Sequence, residues 1–166
     1  MEKANWDKAG YDDSAWCGVR LLEHPKSTIV AQVGPSIRRT EALLPVAILY
    51  SPKGKTILDF GQNMVGWVQM RVCGPAGTTI SLRHAEVLDQ QGNLYTENLR
   101  TAEQLTRYIL KGDSNADEIF EPHFSFQGFC YVAVEGFPGP LTLDQITGIV
   151  IHSDMPATGT FECSNP

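Results

Sequence analysis

From Trp67 onward the chain alternates. Val68, Met70 and Val72 fall on one side of an extended strand, while Trp67, Gln69 and Arg71 fall on the other. Gly74-Pro75-Ala76-Gly77 then makes a turn. Thr78 to Glu86 is a second strand, with Ile80 and Leu82 set against Ser81 and Arg83, and Gln90-Gln91-Gly92-Asn93 turns the chain again. Thr106 to Lys111 is rich in β-branched and aromatic residues and closes on Gly112. Gly128 to Glu135 reads as a buried strand closed by Gly136. Leu141 to His152 supplies one or two more strands, and Thr28 to Val33 and Thr158 to Cys163 one each. No stretch of about ten residues sustains a helical period; Tyr11 to Trp16 and Arg100 to Leu105 come nearest. Many short strands between Gly and Pro turns predict an all-β antiparallel sandwich or barrel with little helix.

Composition narrows the function more than the fold. The 166 residues carry a net charge of −6, with no basic stripe, which argues against nucleic acid or an anionic membrane surface as partner. No apolar run approaches the ~20 residues that span a bilayer, and the polar Met1 to Gly10 has no apolar h-region, so no targeting segment is expected in it. Cys17, Cys73, Cys130 and Cys163 include no C-x-x-C pair, so neither a zinc site nor a redox motif is indicated. Their wide spacing predicts reduced thiols, which leans towards a cytoplasmic setting without fixing the compartment.

Local motifs give no chemistry. Asp59-Phe60-Gly61 matches the kinase metal triplet in letters only, and reads as a strand end where Asp59 caps a turn and Gly61 takes a positive φ. His84-Ala85-Glu86 lacks the cysteines that would complete a deaminase zinc site, and predicts a cross-strand hydrogen bond instead. There is no G-x-S-x-G elbow, and Gly74 to Thr79 lacks the ending of a phosphate loop. Asp12-Asp13, Glu86, Asp89, Glu97, Glu118 and Glu121 could supply a carboxylate pair, but surface acids are expected in so acidic a chain. Trp6, Trp16 and Trp67 could stack on a sugar ring beside Gln62, Asn63 or Asn98, or fill a core or domain junction. Leu94 to Arg100 is too polar for a core strand and reads as a loop ordered by another domain.

Four stretches resemble the bacterial α-L-rhamnosidases: DFGQNMVGWVQMRVCGPAGTTISLRHAEVL (59–88), GNLYTENLRTA (92–102), EPHFSFQGFCYVAVEG (121–136) and HSDMPATGTFECSNP (152–166). The resemblance covers roughly residues 40–166. It implies a concanavalin-like β-sandwich, or jelly roll, of the kind that precedes the catalytic barrel in those enzymes. On this reading residues 37–166 are that sandwich, and residues 1–36 are a linker or the tail of a preceding N-terminal sandwich. The family releases terminal α-L-rhamnose with inversion, using a carboxylate acid and a carboxylate base in an (α/α)₆ barrel that follows the Ser-Asn-Pro junction. No catalytic residue of that barrel has a counterpart here, and the resemblance implies no metal ligand and no cofactor. Two positions depart from the family pattern: Cys130 where a basic residue is expected, and Thr106 where an aspartate is expected.

The expectation is a non-catalytic domain whose partners are the barrel and other domains of one chain. Gln62, Asn63, Trp67, Tyr95, Glu97, Asn98 and Arg100 are its candidate contacts. The alternative is a module that binds rhamnose-containing glycans. Some relatives carry a calcium-dependent module of that kind, but no D-x-D-x-D-G spacing occurs here.

Overall fold

A computed structural model describes residues 3, 5–23, 29–112 and 116–164. The chain divides into two compact units, Met1–Gly34 and Pro35–Pro166. The first is built from turns around an aromatic cluster. The Tyr11 ring meets Trp16 edge-on at 5.6 Å, Trp6 lies 6.4 Å from Trp16, and the Lys3 ammonium sits 5.6 Å from the Trp16 ring centre. Residues 29–33 do not form the strand expected there, and Thr28 lies outside the described residues.

The second unit is all-β, as predicted. Its strands are β1 (Ile37–Leu43), β2 (Ala47–Tyr50), β3 (Thr56–Val72), β4 (Thr79–Ala85), β5 (Leu105–Ile109), β6 (Glu118–Phe120), β7 (Gln127–Glu135) and β8 (Ile146–Ser153). The described helix is limited to two short 3₁₀ turns, Glu97–Leu99 and Leu143–Gln145. All pairings are antiparallel, in the order β1-β8-β3-β7-β4-β5, with β2 and β6 also attached to β3.

The 17-residue β3 organises this sheet. Its first part, Thr56 to Asp59, lies between β2 and β7. Its last part, Gly66 to Val72, pairs with β8 and then β6. Between them the register slips: Asp59 faces Tyr131, but Met64 already faces Phe129. The extra residues form the bend at Phe60 to Asn63. Gly61 takes φ +74° there, and its N–H donates to Asp59 Oδ1 at 2.7 Å. The expected turn chemistry at Asp59 and Gly61 is therefore right, but it bends a strand instead of ending one.

The bend curls the sheet so that its inward face closes on itself. Leu58, Phe60, Val68, Met70, Ile80 and Leu82 enter one cluster with Phe129, Val132 and Ile146. Phe60 meets Phe129 edge-on at 5.5 Å. Gly66 is a close-approach glycine, since a Cβ there would fall on the Ile149 carbonyl oxygen of β8.

The predicted periods of β3 and β4 are observed. Val68, Met70 and Val72 are buried with Ile80 and Leu82, while Ser81 and Arg83 are only partly covered. Thr158 to Cys163 forms no strand. Its alternation is too short and too exposed to be held without a pairing edge.

Candidate functional site

The bend of β3 places two of the predicted residues at one corner. Gln62 and Asn63 are exposed there, and Asn63 Nδ2 donates to Glu86 Oε1 at 3.1 Å. Beyond Glu86 the chain turns through Asp89 to Asn93. Asp89 accepts from the backbone N–H groups of Gln91 and Asn93 at 2.9 and 2.8 Å and from Asn93 Nδ2. The Tyr95 N–H returns to the Val87 carbonyl at 3.1 Å. Glu97 and Asn98 then project from the 3₁₀ turn, and Arg100 closes it with φ +57°. Tyr95, Glu97, Asn98 and Arg100 are all exposed.

Trp67 makes its contacts elsewhere. Its Nε1 donates to Glu121 Oε1 at 2.6 Å, and Gln69 Nε2 donates to Glu121 Oε2 at 3.0 Å. Arg39, on the edge strand β1, forms an ion pair with Glu121 and lays its guanidinium 5.6 Å from the Trp67 ring centre. Burial alone would raise the Glu121 pKa; the Trp67 and Gln69 hydrogen bonds and the Arg39 charge outweigh it and hold it below the ordinary value. A carboxylate kept ionised, with both oxygens engaged, is an anchor and a poor proton donor.

Asp12, Glu118 and His84 are also held by hydrogen bonds. Asp12 accepts from the Ser14 N–H at 3.0 Å. Glu118 is buried, and it accepts from the Tyr108 hydroxyl and from the backbone N–H groups of Lys111 and Gly112. His84 is buried, its Nδ1 3.1 Å from the Gln104 carbonyl, and its ring meets Phe129 edge-on at 5.0 Å. This is the predicted cross-strand bond, made to backbone; burial pulls the His84 pKa down to about 4, keeping the ring neutral. Burial, then the Asp59 charge, raises the Cys130 thiol, which sits 3.8 Å from Asp59 Oδ1. Such a thiol is a weak nucleophile. Among the described residues no group of three or more His, Cys, Asp or Glu side chains could hold a metal ion.

Sequence reasoning missed Arg39, Gln69 and Glu121 as the setting of Trp67. It also missed Phe124 and Phe126, which share a groove of about 550 Å³ with Ile37, Arg39, Trp67 and Ile151. The one local signal was the alternation Phe124-Ser125-Phe126 after Pro122.

The chain folds as a curled antiparallel all-β sheet, and several of its candidate acids are held in structural hydrogen bonds. The bacterial α-L-rhamnosidase concanavalin-like domain matches residues 50–152, and the chain belongs to that family. It is 47% identical to an α-L-rhamnosidase of Streptomyces avermitilis and 31% identical to one of Formosa agariphila, in each case over 99% of this chain. It also superposes on the crystal structure of the Streptomyces avermitilis α-L-rhamnosidase complexed with L-rhamnose (TM-score 0.88, 45% identity) and on that of native α-L-rhamnosidase from Aspergillus terreus (TM-score 0.87, 41% identity). Each superposition covers 99% of this chain. The chain spans only 16% of the Streptomyces protein, 18% of the Formosa protein and 19% of the Aspergillus chain. It therefore corresponds to a small part of a larger rhamnosidase chain in these relatives.

Proposed function

We propose that this chain is a non-catalytic sandwich domain that braces the catalytic barrel of an α-L-rhamnosidase. One observation carries the reading. The match to the rhamnosidases runs over 99% of this chain but only 16–19% of theirs. The tied carboxylates support it, because Glu118, Glu121 and Asp89 are committed to holding local structure. In this reading residues 37–166 form the sandwich, and residues 1–36 are a linker or the tail of a preceding one. Gln62 and Asn63 at the β3 bend, with Tyr95, Glu97, Asn98 and Arg100, face a neighbouring domain. The glycan is met by the barrel, which would supply the acid and base of an inverting hydrolysis.

The 166-residue chain incubated with an aryl α-L-rhamnoside should release no phenol. Titration of L-rhamnose by calorimetry should give no binding heat at millimolar sugar, with or without calcium. Turnover that survives repurification and disappears on substitution of one carboxylate would overturn the reading.

A further inference from the structure

The outward face of an antiparallel sheet is normally polar, because it meets water. On the β1-β8-β3 part of this sheet it is polar at one end only. Inward positions on β8 are Ile146, Gly148 and Val150, which pair with Met70, Val68 and Gly66. Thr147, Ile149 and Ile151 therefore point outward. Thr147 pairs with Gln69 and shares a shallow polar pocket with Arg71 and Asp144. Ile149 pairs with Trp67, and Ile151 with Arg39. Ile149 and Ile151 are buried although they face away from the core.

The segment after Glu121 deepens this apolar end into a groove. Phe124 is fully exposed, and Phe126 and Ile37 are 62% and 61% exposed. Phe124 also takes φ +60°, in the left-handed region that a bulky residue rarely adopts. The backbone is thus held in an unfavourable conformation while the ring gains no burial inside this domain. That combination points to a contact outside it.

We propose that this groove seats an apolar, uncharged surface of another domain of the same polypeptide. The inference rests on the bracing role proposed above and names its contact face. Two observations select the occupant. Arg39, on the groove wall, is neutralised by its ion pair with Glu121, so no counter-charge is called for. Both Glu121 oxygens and the Trp67 Nε1 are already engaged, and the Arg39 guanidinium lies over the Trp67 ring; His123 and Ser125 are the other polar residues of the lining, set among two isoleucines, two phenylalanines and a proline, so the groove is mainly apolar. In the relatives more than four-fifths of the polypeptide lies outside the matched segment, which supplies a surface to cover the groove.

The test compares this chain alone with the same sequence grafted over the matching segment of the Streptomyces avermitilis α-L-rhamnosidase. Amide exchange of Glu121 to Gln127 is measured in both. The proposal expects exchange in the graft to slow by about tenfold or more, and Phe124→Ser with Phe126→Ser to restore the fast rate. A second graft, carrying only Glu121 to Gln127, gives the same readout if the larger one does not fold. Equal exchange in the isolated and grafted chains overturns the proposal. So does a dimer of the isolated chain that both substitutions abolish, which would make a second copy the occupant. Saturable protection of this segment by L-rhamnose overturns it in favour of a glycan. Hydrolysis by the isolated chain would instead defeat the bracing role, so the two failures read out separately.

Discussion

His84 shows what burial does to a titratable side chain in this core. The ring is neutral in the folded protein down to about pH 4, while an unfolded chain protonates near 6.5. Between those values the unfolded state binds the extra proton, so stability falls as pH falls through the window. Each pH unit of that window is worth about 1.4 kcal/mol, and the full loss is about 3 kcal/mol. Urea unfolding at pH 7 and at about pH 4.5 should show most of it, and His84→Leu should remove that part of the slope. Glu118 works in the same direction but in a more acidic window, because its folded-state pKa is also lowered. Burial would raise its pKa, but hydrogen bonds from Tyr108, Gly112 and Lys111 outweigh it and lower the pKa overall. Its contribution is therefore present at neutral pH and is lost only in acid. Glu118→Gln turns an all-acceptor group into one that also presents N–H donors to its donor neighbours, and should cost about 1–3 kcal/mol in urea unfolding at pH 7. Tyr108→Phe, which removes one of the three bonds, should cost about 1 kcal/mol.

At the scale of elements, β3 sets the register of β2, β6, β7 and β8, and Gly66 sits where two of them meet it. It faces Val150 on one side and Gln127 on the other. Gly66→Ala would push a methyl into the Ile149 carbonyl, and should destabilise by at least about 3 kcal/mol, the upper end of the usual overpacking cost. Loss of soluble protein or of the cooperative thermal transition would register it. The same strand explains what was readable beforehand. Its second half alternates cleanly, because Val68, Met70 and Val72 face a core while Trp67, Gln69 and Arg71 do not. Its first half hides its period, since Ile57 and Leu58 are both buried and the bend interrupts the count. β1 was missed because an exposed edge strand, Ile-Arg-Arg-Thr-Glu-Ala-Leu, has little apolar face to show. Asn63 and Trp67 were legible as polar and aromatic residues worth placing. Their partners were not, because Trp67 finds Glu121 across 54 residues of chain and Asn63 finds Glu86 across 23. Such pairs exist only once the sheet has folded.

For the whole molecule, net charge and the exposed groove act together. The charge of −6 at pH 7 falls to zero near the pI of 5.1. Repulsion between molecules is then weakest while Phe124 and Phe126 remain uncovered. Light scattering between about pH 4 and 8 should therefore peak near pH 5. Phe124→Ser with Phe126→Ser should lower that peak and leave the urea midpoint at pH 7 nearly unchanged, because neither ring is buried in this domain.

The long, bent β3 also has a consequence during synthesis. Thr56 to Val72 leaves the ribosome well before two of the strands that will flank it. β7 follows at Gln127, and β8 is complete only at Ser153. At ~5–20 residues per second, the interval from Val72 to the end of β8 is roughly 4–16 seconds. Until β6 and β7 have been made, this strand has only β2, along its first part. A nascent chain stalled before Gln127 would expose the whole edge that β7 later covers, and such an edge pairs readily with a neighbour. Pauses in translation should therefore be most harmful between about Val72 and Gln127, and harmless once β8 has been made.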